Sequence, residues 1–261
     1  MKQFKEEIKE IIESRNILKA MVVKNLIGRY RNSLLGFGWH FVMPIITMAV
    51  YYVVFTQIRV NEIRDFWIYL ASGIFAFHFM INNLVGGASC IVANSGMVKK
   101  MYFPREILVL SQVLSTFIVM VIGYLFVFGT MMGTGYEIKV SLVFIIPFFV
   151  LTLMFVTGYC LLFSSLTVYL RDVQYVLGSI SIIFFFLTPM FFTTDSTTGL
   201  LNTIVWANPF TYYVEFLHDI IYYGSTPDVA IVIMCTIISI TSLLVGMLVF
   251  RKLRGGFAER L

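Results

Sequence analysis

The feature that most constrains this chain is a set of six long runs without a single Asp, Glu, Lys or Arg. Each run holds at least 22 residues, and they cover residues 32–58, 66–98, 107–136, 140–170, 173–194 and 229–250. At about 1.5 Å per residue, 22 helical residues reach about 33 Å, enough to cross a hydrocarbon core of about 30 Å. Backbone polar groups in lipid must be paired internally, and the runs lack the two-residue alternation of barrel strands. They therefore predict membrane-spanning helices.

The composition agrees with a membrane protein. Hydrophobic residues make up 59% of the 261 residues and charged residues 13%, whereas a soluble domain carries about 25% charged residues. The mean hydropathy is +0.89. We predict one all-α polytopic domain over residues 1–261, with no room for a soluble catalytic domain. The three cysteines, Cys90, Cys160 and Cys235, lie inside apolar runs and fit small buried hydrophobes better than a disulfide framework.

Six spans are predicted within residues 34–250. They cover approximately residues 34–55, 66–92, 107–131, 141–169, 174–192 and 229–250. Residues 1–31 repeat apolar side chains at helical spacing opposite charged ones, which favours an amphipathic helix at the cytoplasmic membrane interface. A solvated helix packed on a soluble partner is the alternative. Residues 251–261 form a basic cytoplasmic tail.

The distribution of cations sets the orientation. With both termini cytoplasmic, 16 of the 19 Lys and Arg residues lie inside, and Arg59, Arg64 and Lys139 lie outside. This asymmetry follows the positive-inside rule and supports a multi-pass protein with both termini cytoplasmic. Because the cations flank the spans and form no long basic runs, the net charge of +5 does not indicate a nucleic-acid partner.

A seventh uncharged stretch, residues 196–214, is too rich in Ser, Thr, Asn and Gly for exposure to lipid. Counting it as a span would also place the basic tail outside. We therefore predict an outer re-entrant hairpin over residues 197–223, made of two short helices that break at Asn208 and Pro209, because proline lacks a donor. Glu215 and Asp219 lie one helical turn apart in it and face either water or a transport route.

A short charged island, residues 96–108, separates two of the apolar runs. Its charged residues are Lys99, Lys100, Arg105 and Glu106. The cations alone fit a cytoplasmic turn that obeys the positive-inside rule. That rule does not explain Tyr102, Phe103 and Pro104, which stand between the charges. An exposed Tyr-Phe pair beside a rigid proline suits insertion into a cleft on a partner.

The sequence carries no motif for nucleotide hydrolysis or metal catalysis. It lacks the G-x-x-x-x-G-K-[ST] phosphate loop, and its three histidines fall in separate segments without metal-ligand spacing. No charged residue is predicted inside a span, whereas ion-coupled carriers place ionisable groups there. The chain is therefore predicted to be a transport subunit rather than an enzyme, without a cofactor of its own and powered from outside.

Aromatic residues are more abundant than an interfacial belt requires, at 16% of the chain. The candidates for a further role are Trp39, Tyr51, Tyr52, Phe55, Phe184 and Phe185. Packing in the core or against lipid accounts for any single ring. The functional interpretation is a channel lined by aromatic faces, on which the apolar C–H faces of sugars stack while the polymer slides.

Five stretches, taken in order, resemble ABC-2 type permeases. Residues 29–44 resemble the start of that group, residues 99–106 its K-K-x-x-F-P-R-E signature, residues 168–173 its turn between spans 4 and 5, residues 208–210 its re-entrant element and residues 257–261 its C-terminal end. Together they cover almost the whole chain. The branch they resemble most contains the permeases of polysaccharide exporters (Wzm/TagG type), which move O-antigen, capsule or teichoic acid.

The resemblance implies a homodimer of six-span subunits in the bacterial inner membrane, bound to two copies of a cytoplasmic ABC ATPase. The ATPase would bind ATP and Mg²⁺ and drive export of a polyprenyl-diphosphate-linked glycan, with O-antigen as the first candidate. A permease for teichoic acid, capsule, a drug or a lipid is an alternative. A flippase or glycan-processing protein that acts without an ATPase is another, which would need in-membrane carboxylates or a metal site.

The resemblance also implies residue roles. Contact with the ATPase is implied for Lys99, Lys100, Tyr102, Phe103, Pro104, Arg105 and Glu106, and a smaller second contact for Arg171 and Asp172. Arg29 and Arg31, beside Tyr30, would lie where the lipid-linked pyrophosphate enters. Guanidinium groups suit a diphosphate and equally suit the anionic headgroups of membrane lipids.

Overall fold

A computed structural model of the chain describes residues 9–28, 36–58, 63–137 and 139–261. Every regular element in these ranges is helical. The helices of four or more residues that we label are α1 (Arg15–Gly28), α2 (Trp39–Ile58), α3 (Phe66–Ala93), α4 (Ser95–Lys100), α5 (Glu106–Gly133), α6 (Ile145–Tyr169), α7 (Asp172–Leu187), α8 (Gly199–Ala207), α9 (Pro209–Leu217), α10 (Val229–Leu253) and α11 (Phe257–Arg260).

Four helical segments in the described part of the chain are long and apolar enough to cross a bilayer. They are Phe66–Lys100, Glu106–Gly133, Val140–Tyr169 and Val229–Arg260, at the positions of predicted spans 2, 3, 4 and 6. Shorter apolar segments, Ile45–Gln57 and Asp172–Leu187, lie at the positions of predicted spans 1 and 5. The chain is therefore an all-helical, multi-pass membrane protein, as the uncharged runs predict.

The end of α7 differs from the prediction. The fifth span is predicted to extend to residue 192, but the helix ends at Leu187 and Thr188 is extended (φ −86°, ψ 131°). Pro189 causes this end, because it lacks an N–H and keeps the residue before it out of the helical region. The hydroxyl of Tyr69 lies 3.0 Å from the Pro189 carbonyl oxygen and 2.8 Å from that of Phe192, and so holds the non-helical chain against α3.

Helix α3 occupies the centre of the bundle and contacts α5, α6, α7 and α9. Its neighbours bind it through hydrogen bonds to its backbone: Tyr124 donates to the Ser72 carbonyl over 2.8 Å, and the Cys160 thiol lies 3.3 Å from the Asn83 carbonyl. Cys90, Cys160 and Cys235 are all buried and form no disulfide. The prediction that they are small buried hydrophobes is confirmed.

Helices α6 and α10 touch backbone to backbone. A β-carbon added to Gly246 would lie 2.8 Å from the carbonyl carbon of Gly158 and closer still to its oxygen. Two interhelical hydrogen bonds lie next to this contact, on its N-terminal side in both helices, from Ser242 to the Phe155 carbonyl (2.9 Å) and from Ser239 to the Leu151 carbonyl (2.8 Å). Small residues at such crossings let membrane helices approach closely, so α6 and α10 form one tightly packed pair.

The two short helices predicted after α7 are present as α8 and α9, and the chain breaks at Asn208 as expected. The Asn208 side chain accepts a hydrogen bond from the Phe210 N–H (3.0 Å) and caps α9, while Pro209 occupies its first turn. The segment His218–Tyr223 then continues as a π-helix. Helix α9 docks on α10, where the Tyr213 and Ser239 hydroxyl oxygens lie 2.6 Å apart.

Candidate functional site

The charged island forms an exposed turn between α4 and α5. Helix α4 ends at Lys100 and Met101 is extended (φ −129°, ψ 141°), so the chain leaves the helix at this point. Lys99 and Lys100 are exposed, and the side chain of Tyr102 is completely exposed. We call the end of the bundle that carries this turn the island end, and the opposite end, which carries α8 and α9, the hairpin end.

The expectation of an exposed Tyr102–Phe103 pair is wrong for Phe103. Its side chain is only 7% exposed and belongs to the hydrophobic core. Successive side chains of an extended segment point to opposite sides, so Tyr102 faces outward when Phe103 faces the bundle. Phe103 therefore anchors the turn, and Tyr102 is its ring available to a partner.

The C-terminal tail binds the two charged residues that follow Pro104 in the island, Arg105 and Glu106. The Arg105 guanidinium donates a hydrogen bond to the carbonyl of Arg254. The Arg254 guanidinium in turn lies 2.6 Å from the Glu106 carboxylate as an ion pair. The last carbonyls of a helix have no partner within that helix, and Arg105 supplies one just after α10. The island and the tail are therefore joined at Arg254 by its backbone and its side chain.

A buried aromatic ring fixes the tail itself. Phe257 is fully buried, with the Phe250 ring 5.5 Å and the Tyr169 ring 6.4 Å from it. The Arg105 guanidinium lies 5.8 Å from the centre of the Phe257 ring, within the range of a cation–π contact. Tyr169 also donates a hydrogen bond to the Leu253 carbonyl over 2.9 Å. Residues from α5, α6 and α10 thus converge on the tail.

Arg171 and Asp172 lie at the same end of the bundle. Both are exposed, and they begin α7 two residues after Tyr169, which contacts the tail. The structure therefore brings the two predicted contact segments, the island and the turn between α6 and α7, to one face and joins them through the tail.

Part of the predicted aromatic set clusters within the chain. The Tyr51 ring lies 5.5 Å from Phe185 and 5.1 Å from Phe191, and Phe55 stacks on Phe191 at 4.1 Å. Three members lie elsewhere: Phe184 packs on Phe210 at 4.9 Å, Tyr52 stacks on Phe66 at 6.2 Å and Trp39 is partly buried at the start of α2. Phe191 joins this cluster from the non-helical segment after α7.

The sequence profile of the ABC-2 type transporter family matches residues 16–222, most of the chain. The chain belongs to the ABC-2 type transporter family. Two similar relatives are the O-antigen export system permease proteins RfbA of Klebsiella pneumoniae, 26% identical with 94% of each chain covered, and of Myxococcus xanthus, 26% identical with 97% of this chain and 98% of the relative covered. Membership makes the chain the membrane subunit of an ABC transporter, whose ATPase is a partner.

A buried polar cluster at the hairpin end of this ABC-2 subunit escaped sequence reasoning. Glu215 and His218 are both buried, with the carboxylate 3.7 Å from the imidazole, and His218 stacks on the Tyr69 ring at 3.8 Å. Of the two alternatives for Glu215, burial within the chain argues against the one in which it faces water. Neither imidazole nitrogen nor Oε1 of Glu215 has a hydrogen-bond partner in the described residues. Burial also raises the pKa of the neighbouring Asp219 carboxyl above its ordinary value.

The signal that could have revealed this cluster is the spacing of Glu215 and His218. Three residues apart on a helix, they lie on one face, next to Val214 and Leu217, which are apolar. Unpaired buried polar groups are rare in native structures and mark strain, function or bound water. Within the described ranges no group of three or more His, Cys, Asp and Glu side chains could hold a metal ion.

Arg29, Tyr30 and Arg31, expected where the lipid pyrophosphate enters, lie outside the described residues, as do residues 1–8 of the predicted interfacial helix. The part of that helix which the structure describes, α1, packs on α5. Met21 is buried, Lys24 donates to the Asn94 side chain over 3.0 Å, and Val23 and Ile27 are exposed. The helix thus has one face on the bundle and an apolar stripe facing away from it.

Proposed function

We propose that this ABC-2 chain is the permease subunit of an ABC exporter that moves a polyprenyl-diphosphate-linked O-antigen across the bacterial inner membrane. The relatives at 26% identity are named as O-antigen export permeases and align over nearly their full length. Two copies of the chain would pair with two copies of a cytoplasmic ATPase that binds ATP and Mg²⁺.

The observation that carries this proposal is the exposed Tyr102 on a turn that is anchored immediately after it. Lys99 and Lys100 precede it and are exposed, and Phe103 and Arg105 anchor the chain after it. A partner can therefore bind an aromatic ring and two cations that an anchored turn presents. Membership of the ABC-2 family implies that the partner which supplies the energy is an ATPase, and Arg171 with Asp172 would provide its smaller second contact.

The proposed topology has six spans, with both termini cytoplasmic. Helices α2 and α7 complete the set begun by the four long segments, α1 lies in the inner membrane interface, and α8 and α9 form the outer re-entrant hairpin. The apolar stripe of α1, Val23 and Ile27, suits insertion among acyl chains. The short α7 suits a span that ends below the outer surface, where the hairpin covers the chain beyond Leu187.

The aromatic cluster and the first basic pair are proposed to serve the substrate. Tyr51, Phe55 and Phe185 would form one wall of the glycan route where two subunits meet, and Trp39, Tyr52 and Phe184, which lie outside this cluster, would line other parts of the same route. Arg29 and Arg31, beside Tyr30, would bind the lipid diphosphate as it enters. The headgroups of anionic membrane lipids could bind the same guanidinium groups. Competition between a lipid diphosphate and phosphatidylglycerol for binding to the purified protein distinguishes these two ligands.

The direct test is the loss of this chain from the cell. Its deletion should leave lipid-linked O-antigen on the cytoplasmic side, and the wild-type chain should restore export. A double reversal, Lys99→Glu with Lys100→Glu, and the truncation Tyr102→Ala should both fail to restore export while inserting normally. Arg64→Glu and Tyr223→Ala, exposed positions at the hairpin end, are the matched controls. Full export by the island variants would refute the proposed contact.

The substrate class is tested in the same strain. If the deletion strain accumulates a lipid-linked teichoic acid or capsule polymer while O-antigen export stays intact, that polymer and not O-antigen is the substrate. Export that continues when the partner ATPase is inactivated would favour an ATP-independent flippase, and the buried Glu215–His218 pair would then be the first site to examine.

A further inference from the structure

We infer that the C-terminal tail, residues 251–261, is itself part of the ATPase-docking surface and positions Tyr102 for the ATPase. The inference rests on the proposed function of the island. It assigns Arg254 a positioning role and Phe257 an anchoring role, and it identifies the kind of partner face that the assembled surface fits.

The first support is the double attachment of the island to one residue. Arg105 donates to the Arg254 carbonyl, and Glu106 accepts from the Arg254 guanidinium at 2.6 Å. The Arg254 and Glu106 side chains are 34% and 15% exposed, so water screens the pair less than it screens an ion pair on an open surface. Only two residues separate Arg105 from Tyr102, so a shift of Arg254 displaces the exposed ring.

The second support is the way in which the tail is seated. Phe257 is fully buried between Tyr169 and Phe250, and α11 contacts α4. The Gly256 position has no room for a β-carbon, because it would overlap the Tyr169 hydroxyl. A tail that only ended a span would need neither a buried ring nor this close approach. The tail instead packs against the ends of α4, α5, α6 and α10.

The third support is the charge of the surface that results. The exposed cations of α4 and the tail are Lys99, Lys100, Lys252 and Arg260. Glu259 is the exposed acid in the tail, and Arg260 lies over the Tyr169 ring at 5.5 Å. Charged surfaces that bind one another are complementary in sign. The structure therefore fits an ATPase face that is acidic around a pocket for Tyr102.

The position of the tail also gives it a mechanical role. It continues α10, and α10 is packed backbone to backbone on α6 at Gly158 and Gly246. A displacement of the island by the ATPase therefore reaches α10 through Arg254 and α6 through the contact of the two helices. The same α10 holds α9 at the hairpin end, where Tyr213 meets Ser239 at 2.6 Å.

A charge exchange tests the inference. Glu106→Arg and Arg254→Glu should each weaken binding of the cognate ATPase to the purified dimer, and slow export, by about tenfold, a typical effect of breaking a partly desolvated charged pair. The double variant should recover to within about threefold of wild type, because the pair is rebuilt with its charges exchanged. Arg64→Glu, which reverses an exposed charge at the hairpin end, should leave both quantities unchanged.

The readouts distinguish positioning from mere stability. Insertion and the thermal midpoint of the dimer are measured beside affinity, and affinity is referred to folded protein. Single variants with a lowered midpoint but wild-type affinity would overturn the inference, as would a double variant no better than the singles. Phe257→Leu, which keeps an apolar anchor but loses the ring, should weaken affinity while the dimer still folds, and unchanged affinity would also overturn it. Failure of the wild-type chain to bind any ABC ATPase would instead overturn the proposed function.

Discussion

The contact of α6 with α10 makes a sharp prediction for Gly246→Ala. The new β-carbon would lie 2.8 Å from the Gly158 carbonyl carbon, whereas carbon atoms in contact sit at about 3.5–4.0 Å. The helices must therefore separate by roughly 0.7–1.2 Å, or their backbones must bend. Overpacking of this kind costs about 1–3 kcal/mol. The opposing atoms are backbone, so no side chain can turn away to relieve the overlap.

Separation of the two helices also weakens the two neighbouring hydrogen bonds between them. Ser239 and Ser242 donate to carbonyls of α6 over 2.8 and 2.9 Å, and interhelical bonds of this kind in membrane proteins average about 0.6 kcal/mol each. Loss of both would add about 1.2 kcal/mol, so the free energy of unfolding should fall by about 2–4 kcal/mol. The measurement is reversible unfolding of the purified protein in mixed micelles, followed by circular dichroism.

Gly129→Ala is the matched control. Gly129 lies inside α5, and an added β-carbon there meets nothing within 4 Å. Alanine favours a helix over glycine by about 1 kcal/mol, so this variant should be as stable as wild type or more so. If Gly246→Ala unfolds at the same denaturant concentration as Gly129→Ala, α6 and α10 are not in backbone contact and the argument fails.

Three further predictions concern the hairpin end and the aromatic cluster. Glu215→Gln should raise the free energy of unfolding by about 1 kcal/mol in the same unfolding assay, because a neutral amide costs less to bury than an unpaired carboxylate oxygen, and it should slow export if the pair has a role in transport; a destabilised variant would contradict this. Asn208→Ala should cost about 1 kcal/mol through loss of the α9 cap, and a change under 0.3 kcal/mol by the same measurement would show that the cap is not formed. The double variant Tyr51→Ala with Phe185→Ala should slow export of long O-antigen chains, measured by pulse labelling, whereas Phe126→Ala, which removes an exposed ring on α5, should not. Equal export rates for the wild type, the double variant and Phe126→Ala would refute the proposed aromatic wall.

The helices and their main break followed from the sequence because they depend on local properties. Uncharged runs long enough to span lipid predict helices regardless of what they pack against. The break at Asn208 follows from the missing donor of Pro209 and from the capping preference of asparagine. The end of α7 could not be predicted from hydropathy, because the apolar run continues past Pro189 to residue 194 while the helix ends before the proline.

The candidate site was predicted only in part because its contacts join distant parts of the chain. The sequence identified the island but could not say which of Tyr102 and Phe103 turns inward, since both are aromatic and the choice depends on the bundle beneath them. The Glu106–Arg254 pair joins residues 148 positions apart. The positive-inside rule alone accounts for the basic residues of the tail, so the sequence offers no reason to pair one of them with Glu106. The surroundings of Glu215 were left open for a related reason, since only the tertiary packing buries its carboxylate.

The burial of the cysteines has a practical consequence for labelling. Cys90, Cys160 and Cys235 are at most 5% exposed, and thiols buried in apolar surroundings are inert toward external reagents. The native chain should therefore be nearly invisible to membrane-impermeant maleimides. A single cysteine introduced at an exposed site beside the Tyr102 ring, such as Met101→Cys, would be the one reactive thiol on an otherwise unreactive background. Its protection from the reagent by bound ATPase, and its release from that protection by nucleotide, could be followed without first removing any native cysteine.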